Sequence, residues 1–186
     1  MRKLRLEDVP DYGELVSALV KNRSKVKLKD LAFVSFLAFT GARIGEALNL
    51  TWNDLDFKNR TVIIKQEKKR ENFVRKVPVP NDFFWDVFRR LREKKLGNKP
   101  FSFTERNGRY IVYKVTKKIM KKRYRPHAIR HAYATFIMKK TKDLEMVRRL
   151  LGHRDYTVIR EYMNYTQEDL EEELRGIFSE LENWNE

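Results

Sequence analysis

The chain has 186 residues, no cysteine and a formal charge of +15 at pH 7. That length holds one domain with a real core or two small ones. The missing cysteines exclude disulfides, thiolate metal sites and a cysteine nucleophile, and the longest apolar run, Leu31–Phe39, is far shorter than the ~20 residues of a bilayer span. A hydrophobic content of 41% beside 36% charged residues fits a soluble globular protein. No secretory signal opens the chain, so a cytoplasmic location is the default expectation and no membrane partner is expected. The positive charge calls for a polyanionic partner, nucleic acid before an anionic membrane surface. It is unevenly spread: Gln167–Glu186 holds eight acidic residues and one arginine, a net of −7, which leaves +22 on residues 1–166.

Residues 1–10 are basic and without period. Asp11–Lys21 has Leu15, Val16, Leu19 and Val20 at helical spacing. Leu28–Thr40 is apolar all round, which predicts a buried helix, and Gly41 is placed to end it in a positive-φ conformation. Ala42–Leu50 carries Arg43 and Glu46 inside an otherwise apolar segment, and Thr51–Arg60 is turn-rich. Thr61–Lys68 and Asn72–Val79 alternate and are rich in Val and Ile, which predicts a hairpin or small sheet with the charged run Glu67–Asn72 at its tip. Asn81 caps an amphipathic helix over Asp82–Lys95. Leu96–Gly108 reads as a loop and Arg109–Lys122 as a helix with a very basic face, broken at Pro126. His127–Lys140 and Asp143–Leu151 are the next helices, the second stopped by Gly152; Tyr156–Asn164 is a short helix, and Thr166–Trp184 a final amphipathic one. The pattern predicts a single α+β domain, mainly α-helical, with a small antiparallel sheet.

All three histidines, His127, His131 and His153, lie within Arg125–Tyr165, together with Arg130 and Tyr162. Such a set in a basic chain suits chemistry on a phosphodiester. Guanidinium forks bind the non-bridging oxygens and stay charged, histidine or lysine moves protons near neutral pH, and a tyrosine can hold the phosphoryl group covalently. Each residue also has a bland reading. Arg43 can pair with Glu46 at i,i+3, His127 can merely open a helix, His131 points away from the His127–Arg130 face, and Tyr162 competes with Tyr156 and Tyr165. The i,i+4 spacing of His127 and His131 would suit zinc, but Arg130 lies between them and no Glu follows the first histidine, so no metal ligand is assigned.

Four segments in order resemble the catalytic domain of tyrosine recombinases, the Xer-type and lambda-type integrases. Thr40-Gly41-Ala42-Arg43-Ile44-Gly45-Glu46 is similar to the family's T-G-x-R-x-x-E segment. His127-Ala128-Ile129-Arg130-His131 is similar to its H-x-L-R-H box, Leu151-Gly152-His153 to its L-G-H box, and Tyr162 follows nine residues later, at the nucleophile's usual place. The resemblance implies site-specific recombination: Tyr162 attacks the scissile phosphate to give a 3′-phosphotyrosyl intermediate, Arg43 and Arg130 bind its oxygens, His127 helps deprotonate Tyr162, and His153 hydrogen-bonds the transition state. A hairpin lysine protonates the leaving 5′ oxygen. Lys68 is favoured when Arg75-Lys76-Val77-Pro78 is aligned to the following strand, with Lys65 and Lys69 open. No metal, ATP or other cofactor is implied.

The family's N-terminal helical domain, which clamps the other side of the DNA, is not expected here, because only about 27 residues precede the core. Residues 1–186 then read as a catalytic domain with a short lead-in (1–27) and an acidic C-terminal helix (166–186), either excised or naturally short. Double-stranded DNA is the expected partner, with self-association on it as a dimer or tetramer. Lys65, Lys69, Arg70, Lys114, Lys117, Lys118, Lys121, Lys122 and Arg123 are the expected phosphate contacts, joined by Lys68, Arg75, Lys76 and Arg125, so affinity should fall with salt. The alternatives are a type IB topoisomerase-like relaxing enzyme, a catalytically silent DNA-binding module, and a basic RNA-binding protein, which would explain the charge and not the ordered boxes.

Overall fold

The computed structural model describes residues 8–68, 71–95 and 97–152, with the side chains of 67, 68 and 71–73 excepted. Lys69, Arg70, His153, Tyr162 and the two C-terminal helices expected from sequence lie outside the described residues. Within them the order is α1 (Tyr12–Lys21), α2 (Leu28–Thr40), α3 (Ile44–Leu48), a 3-10 turn (Trp52–Asp54), β1 (Leu55–Asp56), β2 (Thr61–Lys68), β3 (Glu71–Pro78), α4 (Asp82–Arg92), α5 (Glu105–Met120), α6 (Pro126–Thr141) and α7 (Leu144–Leu151).

Helix α2 is the axis of the fold. Ten of its thirteen residues are buried, as its unbroken hydrophobicity requires, and α1, α4, α5 and α6 all pack on it. Phe33 and Phe36 of α2 meet Phe88 of α4 and Phe101 at ring distances of 5.1–6.3 Å, mostly edge-on, the geometry that aromatic quadrupoles favour. A smaller cluster of Tyr133, Met138, Val147 and Leu151 joins α6 to α7.

The sheet is antiparallel in the order β1-β2-β3. Strands β2 and β3 pair from Thr61–Pro78 out to Lys68–Glu71. The charged run expected as the tip therefore continues the ladder at Glu67, Lys68, Glu71 and Asn72, because strand alternation carries on past the apolar residues.

Several helix boundaries differ from the sequence expectation. α5 begins at Glu105, inside the expected loop, because Thr104 caps it by accepting from the Asn107 amide (3.3 Å). Asn107-Gly108 looks like a turn in sequence. Gly108 is helical, and a Cβ there would lie 3.1 Å from Phe33 Cζ, so the glycine serves close packing on α2. At the other end Lys121 adopts φ 63° and ends α5. Pro126 therefore does not break that helix; it occupies the first turn of α6, where its missing N–H costs nothing. α4 stops at Arg92, short of the expected Lys95.

Candidate active site

The turn between α2 and α3 delivers Arg43. The Thr40 hydroxyl donates to the Phe36 carbonyl (2.6 Å) and accepts from the Ala42 amide (3.2 Å). Gly41 takes φ 62°, and a Cβ there would sit 2.6 Å from Tyr133 Cδ1 and 2.9 Å from Leu151 Cδ2. Both the left-handed backbone and the close approach of α6 and α7 thus require glycine. Burial pushes the Tyr133 hydroxyl up to about 12 against the opposing pull of Arg75 and Arg130, so it is a neutral packing group here.

Arg43 starts α3. Its amide donates to Glu46 Oε2 (2.8 Å) and its Nη1 to Glu46 Oε1 (3.2 Å). The structural pairing weighed from sequence is present, yet the Arg43 side chain is still 41% exposed and lines the cleft described below.

Glu46 has a second, buried partner. Arg75 of β3 donates from Nη2 to Glu46 Oε2 (2.7 Å), from Nη1 to Oε1 (3.1 Å) and from Nε to the Leu150 carbonyl (2.9 Å). Arg75 is 5% exposed, which corrects its expected role as a phosphate contact. Burial pushes the Glu46 carboxyl up, but the bonds from Arg75, the Arg43 amide and the charge of Arg130 outweigh it and hold the group below the usual carboxylate range.

Arg130, 1% exposed, donates from Nη1 to the Gly41 carbonyl (2.5 Å) and from Nη2 to the Leu151 carbonyl (2.9 Å). The last four carbonyls of a helix lack partners inside it. In α7 all four are satisfied: the Gly152 amide serves Arg148 and Arg149, Arg75 serves Leu150, and Arg130 serves Leu151. Two guanidinium charges at the negative end of the helix dipole add to the attraction. Both arginines therefore fix the segment that leads into His153.

Arg43, Lys65, His127 and Arg130 converge on one cleft of ≈ 790 Å³, with Arg109 and Arg125 beside them and Glu46 and Glu105 as its carboxylates. The N-terminal turn of α6, with Pro126 and His127, opens onto it, so the positive end of that dipole adds to a field suited to an anion. Lys65 is tied to the buried carboxylate of Asp54 at 2.6 Å. Burial pushes the Asp54 carboxyl up, but bonds from Lys65 and Thr51 bring it below its ordinary value. Lys68 pairs with Glu71 at the outer end of the β2–β3 ladder.

The basic row is divided. Lys114 reaches the nearly buried Asp30 at 2.5 Å, which lowers its value as a phosphate contact. Lys117, Lys118, Lys121, Lys122 and Arg123 are exposed, and Lys117 continues, one turn on, the α5 face whose Glu105, Arg109 and Tyr113 line the cleft. His131 faces Thr135, with Nδ1 3.2 Å from its hydroxyl, away from the cleft. The sequence reading missed Gln66, Arg109 and Tyr113 as cleft residues. The i,i+4 spacing of 105, 109 and 113 carries that signal once the true start of α5 is known.

The model of the phage integrase family matches residues 11–169. The chain is 28% identical over 182 residues to the tyrosine recombinase XerC of Pediococcus pentosaceus, covering 90% of this chain and 60% of that protein. It is 27% identical over 169 residues to the tyrosine recombinase XerA of Pyrococcus furiosus, covering 86% of this chain and 58% of the relative. The chain thus spans about three fifths of the length of these relatives. Among solved structures, a XerA recombinase superimposes with a TM-score of 0.76 at 20% identity, covering 95% of this chain and 65% of that one. XerH bound to a palindromic difH substrate gives 0.74 at 20% identity, with 91% and 53% covered. The structural likenesses establish a shared fold. The family model covers most of the chain, and the cleft gathers Arg43, His127 and Arg130 from the first two of the four boxes; the chain belongs to the phage integrase family.

Proposed function

We propose that this chain is the catalytic domain of a site-specific DNA recombinase that cleaves and rejoins strands through a 3′-phosphotyrosyl intermediate. The observation that carries the reading is the meeting of Arg43 and Arg130, far apart in sequence, in one cleft with His127 at its edge. Relatives named tyrosine recombinases and fold neighbours captured on DNA support it. The phenolic oxygen of Tyr162 attacks phosphorus as its proton passes toward His127. The bond to the 5′ oxygen breaks, and Lys68 supplies the proton that oxygen needs. Arg43 and Arg130 hold the non-bridging oxygens, and His153 donates to the transition state. The 5′-hydroxyl then attacks the phosphotyrosine and regenerates the enzyme. The partner is double-stranded DNA, gripped along the exposed lysines of α5, with copies of the chain assembling on it. Among the described residues no helix is long and apolar enough to cross a membrane, and the cytoplasm is the proposed site of action.

Covalent trapping tests this. The protein is incubated in EDTA with end-labelled DNA carrying the flanks of its own coding region, including nicked duplexes that release the cleaved end, and is denatured in SDS. The expected product is a protein–DNA adduct whose modified peptide contains Tyr162. Modification of Tyr156 or Tyr165 would move the nucleophile, and tight binding with no adduct on nicked DNA would leave a silent DNA-binding module.

A second expectation concerns the proton donor. Lys68→Ala should slow strand cleavage on the order of 10²-fold, and a substrate with a 5′-thiol leaving group, which needs no proton, should recover most of that loss. The grip of Asp54 on Lys65 argues against Lys65 in this role. An unrescued Lys68→Ala variant would shift the role to Lys65 or Lys69.

A further inference from the structure

Gln66 lies in β2, is half-buried and lines the cleft. One end of its amide is 2.9 Å from Arg43 Nη1 and the other 3.3 Å from the Gly152 carbonyl. A guanidinium only donates and a carbonyl only accepts, so the amide oxygen faces Arg43 and the nitrogen faces Gly152. Arg43 Nη1 therefore has two acceptors, Gln66 and Glu46 Oε1 at 3.2 Å. Two acceptors on one terminal nitrogen, which carries two N–H groups, fix the plane of the guanidinium. They leave its Nε–Nη2 fork, the edge that matches two phosphate oxygens, without a hydrogen bond to the described residues.

The other end of Gln66 completes a series at the end of α7. Leu150, Leu151 and Gly152 present successive carbonyls, and each accepts from a different element: Arg75 of β3, Arg130 of α6 and Gln66 of β2. Each of these donors also reaches the turn that bears Arg43, through Glu46, through the Gly41 carbonyl, and through Arg43 itself. Gln66 alone among the three is uncharged and touches the proposed phosphate-binding arginine directly.

We propose that Gln66 is a positioning residue for the cleavage reaction: it sets the plane of the Arg43 guanidinium and couples it to the Gly152 turn that runs into His153. The inference rests on the recombinase reading for its consequence in catalysis, and on geometry alone for its effect on Arg43. Losing the Gln66 amide removes one bond from a charged donor and one to the buried Gly152 carbonyl, which lowers stability modestly, whereas misplacing a phosphate ligand by a fraction of an ångström slows the chemistry.

Gln66→Leu, with Gln66→Met as a second apolar substitute, tests it in two ways. In single-turnover cleavage both variants should be slower by roughly 10- to 100-fold, with DNA affinity close to the parent and the melting temperature lowered only modestly. A 5′-thiol substrate should not restore the rate, because Arg43 serves the phosphate and not the leaving group. In an Arg43→Lys background the Gln66 change should add no further loss, since lysine has no fork to orient. Independently of activity, nitrogen-15 spectra of the guanidinium should show the Arg43 Nη1 and Nη2 groups as distinct in the parent and averaged by rotation in Gln66→Leu. An unchanged cleavage rate, recovery on the thiol substrate, or Nη groups still distinct in the variant would each overturn the proposal. If the parent forms no adduct on any DNA, the recombinase reading fails, and the guanidinium spectra still decide whether Gln66 holds Arg43.

Discussion

Arg130→Ala should lose both its chemistry and much of its stability. The side chain is 1% exposed, and its two terminal nitrogens hold the carbonyls of Gly41 and Leu151. Alanine leaves both carbonyls buried without that donor, and an orphaned buried group costs about 1–3 kcal/mol. A cavity of guanidinium size adds to this, for a total of about 3–5 kcal/mol. The Gly41 carbonyl belongs to the turn carrying Arg43, and the Leu151 carbonyl to the turn before His153, so the loss loosens both toward the cleft. Cleavage by the fraction that remains folded should fall on the order of 10²–10³-fold, as when one preorganised donor to a developing charge is removed. Arg130→Lys keeps a charge but reaches one carbonyl where the fork reaches two, and should fall between alanine and the parent in stability. Chemical denaturation and single-turnover cleavage separate the two effects. A parental unfolding midpoint for Arg130→Ala would refute the clamp, and a destabilised variant that cleaves at the parental rate would leave Arg130 a structural residue only.

The proposed catalytic arginines were legible in sequence because each sits in a short pattern with a fixed place relative to helix ends: Arg43 just after the Gly41 turn, Arg130 in the second turn of the helix that Pro126 opens. α2 was legible because an apolar run of its length has no solvent face. Three things were not. The start of α5 was hidden by Asn107-Gly108, whose glycine answers to the Phe33 ring and not to a turn. The burial of Arg130 was hidden because a guanidinium within a helix reads as surface until its carbonyl partners, supplied by distant segments, are known. Arg75 was read as one more hairpin charge, although the signal was present. Positions 75, 77 and 79 are buried and 74, 76 and 78 exposed, so Arg75 shares a parity with Val77 and Val79 and faces inward with them. An inward arginine needs an anion, and Glu46 of the first box is that anion. The glutamate of that box thus serves both the hairpin and Arg43, which a local reading of its i,i+3 spacing does not reveal.

That dual service makes the Glu46 substitution the most informative one for stability. Removing one member of a buried ion pair strands the other, at a cost of about 3–5 kcal/mol. The two members are not equivalent. Glu46→Ala leaves Arg75, 5% exposed, with the Leu150 carbonyl as its remaining hydrogen-bond partner among the described residues. Arg75→Ala leaves Glu46 still bonded to the Arg43 amide and to Arg43 Nη1. Glu46→Ala should therefore be the more damaging, and a Glu46→Leu, Arg75→Met pair less damaging than the sum of its single changes, because neither charge is then stranded. Acid supplies a second test. The folded-state carboxyl of Glu46 is held below its ordinary value of 4.5. Its contribution is then fully present above about pH 4.5, where the unfolded chain is also ionised, and is lost as the pH falls through the lower folded-state value. Glu46→Gln should be less stable than the parent at neutral pH, and the gap between the two unfolding free energies should close below pH 4.5 as the parental carboxyl takes up its proton. A gap that stayed constant to low pH would mean that the charge of Glu46 contributes nothing, and that the link between hairpin and Arg43 turn rests on shape and neutral hydrogen bonds instead.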